Sequence, residues 1–117
     1  MVLRIDRRRL IDGVPTIVER IAVPQALFPD LDALDEDGLP NTLYDLYQKR
    51  YGVTVGRATE RLRAVAATAE DATHLGVEPG AALLEIERIA RDLDDGPVEW
   101  RLSRCLTDRL AYLSELI

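Results

Sequence analysis

Charged residues that keep step with apolar ones along a strand are the first place to look for chemistry. In Pro15 to Val23 (PTIVERIAV), Glu19 shares its alternation with Ile17, Ile21 and Val23; in Val2 to Leu10 (VLRIDRRRL), Arg7 and Arg9 keep step with Leu3 and Ile5. Side chains two apart on a strand emerge on one face, so a buried apolar face would take these charges inside with it. A buried charge is costly unless it is paired. Spacing alone leaves two readings open: an Arg-Glu pair across the hairpin, or a pocket lined by two guanidiniums and a carboxylate. The forked guanidinium grips phosphate or carboxylate through two parallel hydrogen bonds, so the second reading implies recognition of a small anion.

Bond-making chemistry is not advertised elsewhere. His74, the only histidine, lies late in a short helical stretch, where a place in the C-terminal turn beside the helix dipole is expected in preference to a catalytic role. Cys105 has no second cysteine to pair with and is expected to be a small buried thiol. Five carboxylates in Asp30 to Gly38 (DLDALDEDG) raise the question of calcium, but the ligand spacing of an EF-hand loop is missing and a solvated loop is expected. A glycine-rich phosphate loop and a Cys/His cluster are also missing from the sequence, so no metal, no cofactor and no catalytic residue is expected.

Two strand-turn-strand units must position the charged residues. Leu83 to Cys105 reads as two strands joined at Asp94-Asp95-Gly96-Pro97, with Asp-Gly supplying the positive φ of the turn, and is expected to form the middle of a sheet. In its second arm Val98, Trp100 and Leu102 form the expected apolar face against Glu99, Arg101 and Ser103. In its first arm Leu83, Ile89 and Leu93 break the alternation, which suggests cover on both faces. Val2 to Val23 repeats the grammar around Asp12-Gly13. A weak internal repeat and simple convergence on similar turns account equally well for the likeness.

Between the hairpins, Pro24 to Leu31 suits a turn that packs Leu27, Phe28 and Leu31 on the core. Asn41 or Thr42 should cap a helix through Arg50, with Leu43, Leu46 and Tyr47 inward, Tyr44 and Tyr51 flanking, and Gly52 as the left-handed stop. Val53 to Ala67 is ambiguous by propensity. A fresh cap and acidic first turn at Thr68-Ala69-Glu70-Asp71 imply that the preceding segment has already ended, so Val53 to Ala67 is read as mainly strand and Ala69 to Leu75 as a short helix. The tail, Thr107 to Leu116, is expected to bury Leu110, Leu113 and Leu116 in a last helix or extended edge.

The 117 residues suffice for one domain, 1–117, with a real core, and 31% charged residues fit an ordinary soluble protein. A net charge of −6 opposes a phosphate-backbone footprint, so DNA is not expected to bind this chain directly. One cysteine excludes an internal disulfide framework and fits a reducing, cytoplasmic setting. Arginines lie where an apolar leader would, and no apolar run reaches membrane length, so neither a signal peptide nor a spanning helix is expected.

Taken in order, RRRLIDGVPTIVE, LFPDL, NTLYDLYQKRYG, RATERLRAVAATAEDATHLGVEPGAALLEIERIARDLDDGPVEW and TDR resemble the UTRA domain, the effector-binding half of HutC-type GntR transcription regulators. The resemblance implies a chorismate-lyase-like α+β fold built on an antiparallel sheet, sensing of a small anionic metabolite such as a phosphosugar or carboxylate, and a homodimer. It places the family's R-x-R on Arg7 and Arg9, its following glutamate on Glu19, its Ser-Leu-Tyr on Thr42, Leu43 and Tyr44, and the glutamate of its Pro-Val-Glu-Tyr on Glu99, with Trp100 in place of tyrosine. The ligand-binding set so implied is Arg7, Arg9, Glu19, Thr42, Tyr44 and Glu99. Arg104-Cys105 stands where the family carries a tyrosine pair. The family domain normally starts earlier and follows a winged-helix DNA-binding domain, so contact with DNA is expected only through a domain that lies outside these residues. A chorismate-lyase-like enzyme and a ligand-free dimerisation module are the alternatives.

Overall fold

A computed structural model describes residues 1–34 and 42–116. Along the chain run β1 (Val2–Ile11), β2 (Val14–Pro24), a single 3-10 turn (Leu31–Ala33), α1 (Leu43–Tyr51), β3 (Val55–Ala66), α2 (Ala69–Leu75), β4 (Ala82–Asp92) and β5 (Pro97–Cys105). The strands form one antiparallel sheet in the order β1-β2-β5-β4-β3. This is the α+β architecture expected from the sequence, with β5 as its middle strand.

Both hairpins close on Asp-Gly, by different means. Asp12 and Gly13 both take positive φ, 51° and 78°, as a two-residue hairpin turn demands. In the second turn Asp-Gly again supplies the positive φ, but only on Asp95, at 69°. The Asp92 carboxylate holds this turn by accepting from the amides of Asp94 and Gly96 at 3.0 and 2.9 Å.

The 3-10 turn and α1 cover one half of one sheet face. Ile21, Val23, Phe28, Leu31, Leu43 and Tyr47 are fully buried there, and burying a side chain the size of Phe28 contributes about 2 kcal/mol. Leu27 does not join this core as expected and lies exposed, because only one side of the turn faces the sheet. Helix α1 follows Thr42, which holds the cap position without a side-chain capping hydrogen bond, and stops at Gly52 in the left-handed region, φ 67°; Asn41, the other expected cap, lies outside the described residues, as do Asp35, Glu36, Asp37 and Gly38. Asp30 is tied down by Arg50 and Tyr51, each 2.6 Å away.

Helix α2 lies on the opposite face, where Leu75 joins Ala67 and Leu83. Its start is a capping box: the Thr68 hydroxyl accepts from the Asp71 amide, and the Asp71 carboxylate accepts from the Thr68 amide, both at 3.1 Å. His74 sits in its last turn, 3.9 Å from Glu70. The segment of mixed propensity is strand from Val55 to Ala66, because β4 pairs with it along nearly its whole length.

Two further expectations are overturned. The tail beyond Cys105 is neither helix nor edge strand: Leu110 is half-buried, but Leu113 and Leu116 are exposed. In β5 Val98 is fully buried in the main core, but beyond it the more deeply buried parity is the polar one, Glu99, Arg101, Ser103 and Cys105, while Trp100 and Leu102 are half-buried on the other face. From Glu99 onward alternation separates the two faces and ranks them wrongly, while Val98, at the register shift of the β4–β5 pairing, packs in the main core.

Candidate functional site

The half of the α1 face that α1 leaves open carries a cavity of about 300 Å3. Its floor comes from the sheet: Arg9 on β1, Ile17 and Glu19 on β2, Arg101, Ser103 and Cys105 on β5, and Ile86 and Arg88 on β4. Thr42, Leu43 and Tyr44 at the start of α1 form a wall, and Leu110 of the tail closes a further side. The strand register explains the convergence, because Glu19 stands opposite Ser103, Arg9 opposite Ile17, and Arg101 opposite Arg88. Side chains directly opposite on neighbouring strands share a face about 5 Å apart.

Glu19 organises the polar half. It is buried, accepts from Arg7 Nε at 2.6 Å, and lies within 3.4 Å of Arg9 Nη1 and 3.5 Å of the Ser103 hydroxyl. Burial pushes its pKa up, but the hydrogen bond and charge of Arg7, with the charges of Arg101 and Arg9, outweigh burial and hold the carboxyl below its ordinary value. The Arg-Glu pair is present between Arg7 and Glu19; of the residues of the other reading, Arg9 and Glu19 line the cavity and Arg7 does not. Arg9 holds Glu19 at the longer distance, and its side chain is 31% exposed, toward the cavity.

Glu99 occupies a different environment. It is 2% exposed under α1, where Tyr47 donates to it at 2.5 Å and Arg101 grips both oxygens at 2.9 Å. Burial first, then the Glu99 charge, raises the Tyr47 pKa; burial lowers that of Arg101, but Glu99 outweighs it and the net direction is up. Of the six expected ligand-binding residues, Arg9, Glu19, Thr42 and Tyr44 line the cavity. Arg7 stands beside Glu19, and Glu99 lies beneath the helix; neither is among the residues that line it.

Arg88, Arg101, Ser103, Cys105 and Leu110 line the cavity without being expected there. Arg101 and Ser103 share the parity of Glu99, a signal that Trp100 and Leu102 obscure by making the other face look like the core. Arg88 donates to Glu60 at 2.8 Å and reaches the Tyr44 hydroxyl at 3.4 Å, and the guanidiniums of Arg88 and Arg101 both lie near the Tyr44 ring, 6.0 and 5.8 Å from its centre. Cys105 is buried; desolvation and the charge of Glu19 push its pKa up to about 11, which leaves the thiol protonated and a poor nucleophile.

A larger concavity, about 570 Å3, lies on the α2 face. Its charges largely neutralise one another: Arg104 holds Asp71 at 2.9 Å and Glu85 at 3.1 Å, and Arg20 approaches Glu70 at 4.0 Å. Among the described residues no three His, Cys, Asp or Glu side chains gather as a metal site, and no helix is long and apolar enough to cross a membrane.

The site is thus a cavity lined by arginines and hydroxyls in an antiparallel α+β domain. The chain is a member of the UTRA domain family, whose pattern matches residues 1–111. Its fold superposes with a TM-score of 0.89 on the ligand-binding domain of a GntR-family transcriptional regulator from Bordetella bronchiseptica, at 37% identity over 99% of this chain and 74% of that one. The C-terminal domain of Yurk from Bacillus subtilis gives 0.84 at 28% identity, over 96% of this chain and 76% of that chain. In sequence the chain is 32% identical over 85 residues to the transcriptional repressor NagR of Bacillus subtilis, which covers 73% of this chain and 34% of the repressor. It is 30% identical over 101 residues to the regulator YurK of the same organism, covering 86% and 41%. The chain therefore spans well under half the length of these curated relatives.

Proposed function

We propose that residues 1–117 form a single effector-binding domain whose cavity takes a small anionic metabolite, a phosphosugar or a carboxylate. One observation carries this reading: Glu19 already holds Arg7 at 2.6 Å, while Arg9, at the longer distance of 3.4 Å, lines the cavity. Arg88 and Arg101 add positive charge, the Thr42 and Tyr44 hydroxyls stand at the helix start, and Glu19 and Ser103 can accept from the ligand's polar arm. The domain acts as a sensor and not as an enzyme. In the longer regulator it works in the cytoplasm, and a ligand that prefers one of two states changes how an attached DNA-binding domain sits.

Thermal-shift screening of phosphosugars, carboxylates and amino acids should identify the ligand, since binding only the folded state raises its stability. Replacing Arg9 with Met keeps the stem and removes the fork. Affinity measured by calorimetry should fall by about 2 to 5 kcal/mol, with a much smaller change in denaturation midpoint. Unchanged affinity with strongly lowered stability would show Arg9 to be a structural partner of Glu19 only.

The domain is also expected to pair with a second copy. β3 ends the sheet and is exposed along most of both faces, an edge that isolated proteins protect. Sedimentation at high concentration should report a dimer, and a monomer alone would refute the pairing.

A further inference from the structure

The tail beyond β5 crosses the cavity. Its first residue is anchored on β2, where the Leu106 amide donates to the Thr16 carbonyl at 2.9 Å. Six residues later the Tyr112 hydroxyl donates to Glu60 on β3 at 2.6 Å. β5 and β4 lie between those two strands, so the intervening residues must pass over them, and Leu110 on the way lines the cavity. Strands stand about 4.8 Å apart, and six residues of extended chain cover the three intervals easily.

Glu60 joins this crossing segment to the site. One of its oxygens accepts from Tyr112 and the other from Arg88 Nε at 2.8 Å. A guanidinium has five donors in a fixed plane, so a carboxylate that takes Nε leaves the terminal nitrogens for other partners. Arg88 Nη1 points to Tyr44, a cavity wall residue. Glu60 therefore orients Arg88 from behind while the front of the fork faces the space where an anion would sit. The tail in turn holds Glu60.

We propose that Arg88 is a further binding residue for the anionic ligand and that the C-terminal segment, through Tyr112 and Glu60, is the strap that positions it. This rests on the cavity being an anion site, as proposed above. Ligand occupancy and seating of the strap favour each other, and by linkage the effect is mutual: a seated strap raises affinity, and a bound ligand keeps the strap down. Leu110, carried by the same segment, covers the ligand when the strap is seated.

Inorganic phosphate is a sufficient probe, and Arg109, exposed within the strap, is a tryptic site that reports seating. In the unaltered protein, phosphate should slow cleavage after Arg109. Tyr112→Phe removes the hydroxyl that holds Glu60 without touching the residues proposed to grip the anion. It should weaken phosphate binding about three- to tenfold, the range one lost orienting hydrogen bond supports, and abolish the protection. Arg88→Met should lose both binding and protection, whereas Leu113→Ala, at an exposed strap position, should change neither. If phosphate binds the unaltered protein and Tyr112→Phe alike and cleavage at Arg109 does not respond, the strap is refuted while the anion site stands. If phosphate does not bind the unaltered protein at all, both fall.

Discussion

Glu19 and Glu99 occupy matching places in the sheet and lead different lives. Ile21 and Arg101 face each other across β2 and β5, and a local two-fold axis through that pair carries Glu19 onto Glu99. Both carboxylates are buried on the same face. Across the hairpin, however, Glu19 meets Arg7, whereas Glu99 meets Ala90 and takes its cation from Arg101, two residues along its own strand. Glu99 is then sealed by Tyr47 from α1, while Glu19 is left facing the open half of the sheet beside Arg9. A buried charge that is fully enclosed can serve only structure. One that is over-supplied with arginine and left open can lend the surplus cation to a ligand.

The contrast can be broken by neutralising each carboxylate in turn. Glu99→Gln leaves Arg101 buried without its counter-charge and Tyr47 with a weaker acceptor, and should cost about 3 to 5 kcal/mol in urea denaturation. Added phosphate can reach Arg101, which lines the cavity, but not Tyr47, whose acceptor lies outside that lining, so it should restore at most a minor part of the loss. A loss below about 1 kcal/mol would mean that the enclosed pair is dispensable.

Glu19→Gln should cost less, about 1 to 3 kcal/mol, because water or an anion in the cavity can serve Arg9 in its place. Phosphate should recover part of that loss. The acid limb of the stability curve should also flatten. The folded-state pKa of Glu19 is depressed, so its contribution is fully present above the unfolded value of about 4.3 and disappears as pH falls through the lower folded value. If Glu19→Gln and Glu99→Gln prove equally damaging and equally blind to phosphate, the distinction between an open and a closed carboxylate fails.

Much of the framework is legible in local patterns. Period-two alternation with Asp-Gly punctuation locates all four hairpin strands, and Gly52 and Thr68 mark a helix end and a helix start where the structure has them. Inward parity alone singles out Glu19, Arg7 and Arg9. The tail and Leu27 depart from expectation because apolar spacing shows that a side chain can be buried, not that anything is there to cover it. Arg88 gives no local signal for the opposite reason: its neighbours Glu60 and Tyr44 come from β3 and α1, far away in sequence.

By itself the sequence determined the strands, their turns, the strand character of Val55–Ala66 through the cap that follows it, and the inward direction of Glu19. Those properties depend on backbone preferences and on neighbours a few residues away. Only the tertiary structure decided that β5 lies between β2 and β4, that Tyr47 closes over Glu99, and that Arg9, Arg88, Arg101, Thr42 and Tyr44 share one cavity beneath Leu110. Strand order and the path of a helix or tail across a sheet are settled by contacts between distant segments, and no local period encodes which of two inward-facing carboxylates will be covered.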